Sequence, residues 1–173
     1  MDVKDKHIFL FIYSLTIGGI LLWLTAIFLA PYLRAYQSPI HIFIYSAFSN
    51  ICHQIPSRCF TFSGYPLAVC SRCLGIYSGF LLGTLMYPRV HGLHNLSFPR
   101  TRTFFLVTFP IVVDTSGNFL SLWNTLGWIR FALGAVWGLI LPFYFIPGLT
   151  QFALECKHKR NPYSFLKFCS KKK

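Results

Sequence analysis

An uncharged stretch of 23 residues, Ile8–Ala30, constrains this chain more than any other feature of its sequence. As a helix rising about 1.5 Å per residue, it is long enough to cross a hydrocarbon core of roughly 30 Å with some tilt. It exceeds the apolar core of a signal peptide, which is about 7–15 residues, and no A-x-A cleavage site follows it. We therefore expect a retained transmembrane helix.

The composition excludes a soluble enzyme, a disordered tail and a coiled coil. Hydrophobic residues make up 54% of the 173 positions and charged residues 12%, about half the usual charged share. The four acidic residues are too few for the mixed-sign surface of a soluble domain. The net charge of +12 does not indicate nucleic acid, because 7 of the 16 Lys and Arg residues follow position 156. Anionic lipid headgroups of the cytoplasmic leaflet are the expected partner of that tail.

Further apolar segments predict an all-α, polytopic membrane helix bundle. Three more stretches have the length of a span, namely Val69–Tyr87, Thr103–Leu122 and Leu126–Ile146. The segment His41–Ile51 falls short of the roughly 20 residues that a span needs, so we expect it to be re-entrant or interfacial. The prediction is about four transmembrane helices plus one short helix. These form a single domain over residues 1–155, followed by a basic cytoplasmic tail over residues 156–173.

Glycines recur at every fourth position in two of these helices, as Gly75, Gly79 and Gly83 and as Gly134 and Gly138. This small-xxx-small spacing lets helix backbones approach closely in lipid. We expect close helix contacts at these faces, and an oligomer formed through them is a further prediction.

Basic residues near the helix ends predict the orientation, because Lys and Arg accumulate on the cytoplasmic side. The tail and the loop Pro88–Arg102 are both basic and are separated by two helices, so both are expected to be cytoplasmic. The segment Cys52–Cys73 is then external. We therefore predict a multi-pass protein of the plasma membrane with a cytoplasmic C-terminal tail.

Four of the six cysteines fall in that external segment, as Cys52, Cys59, Cys70 and Cys73. The pattern C-H-Q-x-P-x-R begins at the first of them, and V-C-x-R-C-x-G-x-Y-x-G begins at Val69. Together these motifs resemble the prokaryotic membrane protein family called domain of unknown function 2085. The resemblance extends to Asp114 and Arg130, whereas Cys59 stands where the family pattern has serine. It implies a small integral membrane protein and no established activity.

The cysteine spacing itself points to thiolate chemistry. Cys70 and Cys73 open a helix, where unpaired N–H groups lower thiol pKa values. Adding Cys52 and His53 gives C-H…C-x-x-C, a ligand set suited to tetrahedral Zn²⁺ or another thiophilic metal. A structural disulfide is also compatible with the external side. So is thiol–disulfide exchange with a quinone, in which Cys52 and Cys59 would form the second pair. A non-catalytic membrane scaffold is the remaining alternative.

Polar residues inside the predicted spans form a second candidate site. Asp114 is the sole acidic residue between Asp5 and Glu155, and an ionisable group at membrane depth is costly and therefore indicates a functional site. We expect it to pair with Arg130, either as part of a site or merely to fix helix packing. The candidate catalytic residues are Asp114, Arg130 and Tyr77. The candidate residues for binding an anion or a lipid are Arg58, Arg72, Arg130 and Asn118.

Overall fold

The computed structural model describes residues 3–90 and 98–159, and this part of the chain is mainly helical. Its α-helices are α1 (Val3–Ala35), α2 (Ile40–Ser49), α3 (Ser71–Val90), α4 (Thr101–Phe119) and α5 (Gly127–Lys159). A 3₁₀ turn (Pro56–Arg58) and an antiparallel hairpin of two short strands, β1 (Thr61–Phe62) and β2 (Tyr65–Pro66), connect α2 to α3. The helical fold prediction is therefore confirmed, with the hairpin as an addition that the sequence did not indicate. The predicted tail lies outside the described residues beyond position 159.

Two of the helices are long and apolar enough to cross a membrane, over Lys6–Ala35 and Gly127–Lys157. The first contains the predicted span Ile8–Ala30, and the second covers all of Leu126–Ile146 except its first residue. The helices α3 and α4 have 20 and 19 residues but do not reach the same apolarity. The total of four spans therefore stays a prediction. The short segment is confirmed as a helix of 10 residues, too short to cross the bilayer alone.

The glycine faces of α3 and α5 pack directly against each other. A Cβ atom built on Gly79 would lie 2.1 Å from the carbonyl oxygen of Ala135, and one on Gly138 would lie 2.1 Å from that of Ile76. Only glycine permits such backbone contact, so the predicted close packing is confirmed. These faces are covered within one chain, and an oligomer stays a prediction.

A hydrophobic core surrounds the cysteine segment at one end of the bundle. Its buried residues come from α1, α2, the hairpin region and α3, and include Ile27, Phe48, Val69 and Leu74. Tyr45 of α2 donates a hydrogen bond from its hydroxyl to the carbonyl oxygen of Pro66. The loop that carries the cysteines is therefore held against three helices.

Candidate functional site

Three thiols converge where α2, the hairpin region and α3 meet. The Sγ atoms of Cys52, Cys70 and Cys73 all lie within 4.8 Å of one another. Cys52 is buried and the other two are half-buried, and all three are free thiols. With Zn–S bonds of about 2.3 Å, sulfur atoms around a tetrahedral ion lie about 3.8 Å apart. The observed grouping is close to that geometry.

The N-terminus of α3 positions this thiol cluster. The carbonyl oxygen of Cys70 accepts the first hydrogen bond of the helix, from the N–H of Leu74 at 3.0 Å, and Cys73 lies in the first turn. The backbone N–H of Cys70 donates to the Sγ atom of Cys52 at 3.2 Å. The Cys52 sulfur therefore lies at the positive end of the helix dipole.

Neighbouring donors favour the thiolate at Cys52. Hydrogen bonds from the Cys70 and Cys73 thiols, together with those from backbone N–H groups, lower the pKa of Cys52 to about 2. A thiolate is the form that both metal binding and disulfide exchange require. The cluster can therefore support either chemistry.

Gln54 connects the two cysteine motifs through hydrogen bonds, a role that the sequence prediction missed. Its Nε2 donates to the carbonyl oxygens of Tyr45 at 2.8 Å and Ala68 at 2.9 Å. These bonds join α2 to the segment that leads into Cys70. Its backbone is left-handed, with a φ of 47°, an uncommon conformation for a residue other than glycine. The place of Gln54 in the C-H-Q motif was the available signal, but its partners could not be read from sequence.

The predicted ligand His53 is exposed and lies outside the thiol cluster. The four-residue ligand set is therefore not brought together, because Cys52 is buried in the core and its neighbour is not. Cys59 is half-buried. Burial, together with the nearby charges of Cys70 and Cys52, raises the pKa of Cys59 to about 12. The environment of Cys59 therefore disfavours the thiolate that a metal ion requires.

A charged network lies on the other side of the α3 N-terminus. Arg72 forms an ion pair with Asp114 of α4. Arg130 of α5, the partner predicted from the sequence, forms no ion pair with Asp114 among the described residues, although their charges attract each other. Arg130 instead donates to the side-chain oxygens of Asn118 at 2.7 Å and Asn124 at 2.8 Å. The first turn of α3 places Arg72 beside the carboxylate, a contact between distant segments that the sequence did not reveal.

The turn between α4 and α5 completes the network. The Thr125 hydroxyl donates to Oδ1 of Asp114, and its backbone N–H donates to Oδ1 of Asn118 at 3.3 Å. The Nδ2 atom of Asn118 also donates to Oδ1 of Asp114 at 3.0 Å. Asn118 thus links Asp114 to Arg130. Thr125 and Asn124 were missed because ordinary turn residues carry no distinctive signal.

Of the remaining predicted site residues, one lies near the thiol cluster and one near the charged network. Tyr77 is half-buried, packs against the core around the thiol cluster and meets the ring of Trp23 edge-on. Arg58 is exposed at the end of the 3₁₀ turn. Its charge, like that of Arg72, acts electrostatically on Arg130. Arg58 therefore belongs with the charged network and Tyr77 with the thiols.

A family model described as predicted membrane protein, DUF2085, matches residues 52–144. The chain belongs to the DUF2085 family. The match spans the thiol cluster and the charged network, so both lie in the part of the chain that defines the family.

Two archaeal relatives extend this comparison. The DUF2085 protein is 34% identical over 142 residues to an uncharacterised protein of Methanocaldococcus jannaschii, covering 78% of this chain and 90% of that protein. It is 56% identical over 32 residues to an uncharacterised protein of Methanothermobacter thermautotrophicus, covering 18% of this chain and 29% of that protein. No solved structure matches the chain.

Proposed function

We propose that this DUF2085 protein holds a thiophilic metal ion, such as Zn²⁺, on the thiolates of Cys52, Cys70 and Cys73. The observation that carries this proposal is the convergence of the three sulfur atoms within 4.8 Å. Sites with three protein ligands leave a position for water or another ligand, as in catalytic zinc centres. Because His53 lies outside the cluster, the fourth position is open to an exogenous ligand. A bound ion would act there as a Lewis acid.

We place this site at the external surface of the plasma membrane, in a multi-pass protein. Two helices have the length and apolarity of a span, and the basic segments favour a cytoplasmic tail. The tail, with 7 of the 16 Lys and Arg residues, is suited to anionic lipid headgroups. Both the orientation and this lipid contact are proposals.

The rival function is thiol–disulfide oxidoreduction with a quinone. The free thiols of Cys70 and Cys73 at a helix N-terminus favour it. Its second pair, however, would join Cys52 to Cys59, and Cys59 lies outside the thiol cluster. The raised pKa of Cys59 also makes it a poor nucleophile at neutral pH. Metal binding therefore accounts for the three converging thiols better.

Metal analysis of the protein purified under reducing conditions tests this function. We expect about one equivalent of a thiophilic metal per chain, lost in the Cys73→Ser variant because a thiolate ligand is removed. The matched Cys59→Ser variant makes the same chemical change outside the cluster and is expected to keep the metal. So is His53→Ala. Metal-free protein in which Cys70 and Cys73 form a disulfide on addition of a quinone would instead establish the rival.

A further inference from the structure

The charged network carries more positive than negative charge. Arg58 and Arg72 both act electrostatically on Arg130, which is 4% exposed. Asp114 is the only acidic residue between positions 6 and 154 of the sequence. The guanidinium groups of Arg72 and Arg130 thus act on one carboxylate, and Arg58 adds a third positive charge that acts on Arg130. A buried charge without a counterion is costly, so this excess favours the binding of an anion.

Two helix N-termini meet at the same place and strengthen that preference. Ser71 begins α3 and Gly127 begins α5, and a Cβ atom built on Gly127 would lie 4.0 Å from Oγ of Ser71. Helix N-termini attract anions through their unpaired N–H groups and their dipoles. Ser71 is 1% exposed. Within the described part of the chain, its Oγ atom and the Nε atom of Arg72 have no hydrogen-bond partner.

An apolar groove of about 370 Å³ leads away from Arg72 along α4. The side chains of Ile76, Ile111 and Trp137 form much of its wall. The few polar groups include Thr108, whose Oγ1 accepts a hydrogen bond from Nε1 of Trp137 at 3.0 Å. A cationic end that continues into an apolar groove is complementary to an amphiphile with an anionic head and a hydrocarbon chain.

We propose that a membrane lipid with a phosphate monoester headgroup binds here, with the phosphate at Arg72 and Arg130, within the field of Arg58, and one hydrocarbon chain in the groove. Guanidinium groups bind phosphate oxygens in a bidentate manner. A phosphate monoester carries close to two negative charges, whereas the phosphodiester of a zwitterionic headgroup is neutralised by its own ammonium group and a quinone has no phosphate. The groove favours a lipid over free phosphate, because inorganic phosphate has no hydrocarbon part that could pack against apolar walls. This site does not depend on a metal at the thiol cluster.

Native mass spectrometry of the detergent-purified protein tests the proposal. The protein is offered an equimolar mixture of phosphatidic acid and phosphatidylcholine with identical chains. We expect phosphatidic acid to be retained preferentially, and its affinity to fall by about tenfold or more in Arg72→Gln, since a charge-assisted bond is lost. The matched control is Arg89→Gln, which changes an exposed arginine in the last turn of the same helix and is expected to bind as the unaltered protein does.

A second variant covers the case in which Arg72→Gln fails to fold. Thr115 is exposed and lines the groove, so Thr115→Trp fills the groove and leaves the arginines in place. It is expected to lose phosphatidic acid while keeping its metal content, which separates this site from the thiol cluster. Equal retention of the two lipids, an equal loss in Arg89→Gln, or unchanged binding in Thr115→Trp would each overturn the proposal. Displacement of the lipid by millimolar inorganic phosphate would assign the site to free phosphate instead.

Discussion

The contact between α3 and α5 predicts that Gly79→Ala lowers the free energy of unfolding. The new Cβ would lie 2.1 Å from the carbonyl oxygen of Ala135, and 2.8 and 2.9 Å from its C and Cα atoms. All three are backbone atoms, which cannot rotate aside as a flexible side chain would. Since non-bonded carbon atoms prefer separations of about 3.5–4.0 Å, the two helices would have to move apart by roughly 1 Å.

The magnitude follows from two opposing effects. Overpacking a close contact costs about 1–3 kcal/mol, while alanine gains about 0.5–1 kcal/mol over glycine inside a helix. The net loss in the free energy of unfolding should be about 1–2 kcal/mol. For a protein of this size, each kcal/mol lowers the unfolding midpoint by roughly 2–4 °C.

Gly18→Ala is the matched control, because a Cβ at Gly18 of α1 would meet no atom within 4 Å. It makes the same change in helix propensity without the clash, so its midpoint should rise by roughly 1–4 °C. Thermal unfolding of both detergent-purified variants, followed by helical circular dichroism, measures the difference. If Gly79→Ala raised the midpoint as much as Gly18→Ala does, the backbone contact between α3 and α5 would be refuted.

Two further predictions concern the charged network and the topology. Asp114→Asn removes the carboxylate that pairs with Arg72. It should lower the free energy of unfolding by about 3–5 kcal/mol, as for a broken buried ion pair. Adding Arg72→Gln should recover more folded yield, measured by fluorescence-detected size exclusion, than adding Arg130→Gln, and the reverse order would contradict the observed pairing. On intact cells, a membrane-impermeant maleimide should label the cysteines of the predicted external segment once metal is removed, and should spare Cys156 and Cys169 of the predicted tail. Labelling confined to the two tail cysteines would contradict the predicted orientation.

The sequence by itself determined the class of protein and the chemistry that it can offer. The uncharged run at Ile8–Ala30 and the shortage of acidic residues indicate a membrane protein without any knowledge of the fold. The glycines at every fourth position predicted close helix contacts, because helical periodicity places those positions on one face; that α3 and α5 are the partners came from the structure. The pair Cys70 and Cys73 at the start of a helix indicated thiolate chemistry, because unpaired N–H groups at a helix N-terminus favour the thiolate.

Only the tertiary structure decided which of these groups meet. Cys52 reaches the N-terminus of α3 because the intervening loop folds back and Gln54 fixes it by two hydrogen bonds. His53 is left outside the cluster although it is adjacent in sequence. Asp114 pairs with Arg72, 42 positions away, rather than with the nearer Arg130. Such choices depend on how helices approach in three dimensions, and local spacing carries no information about contacts between distant segments.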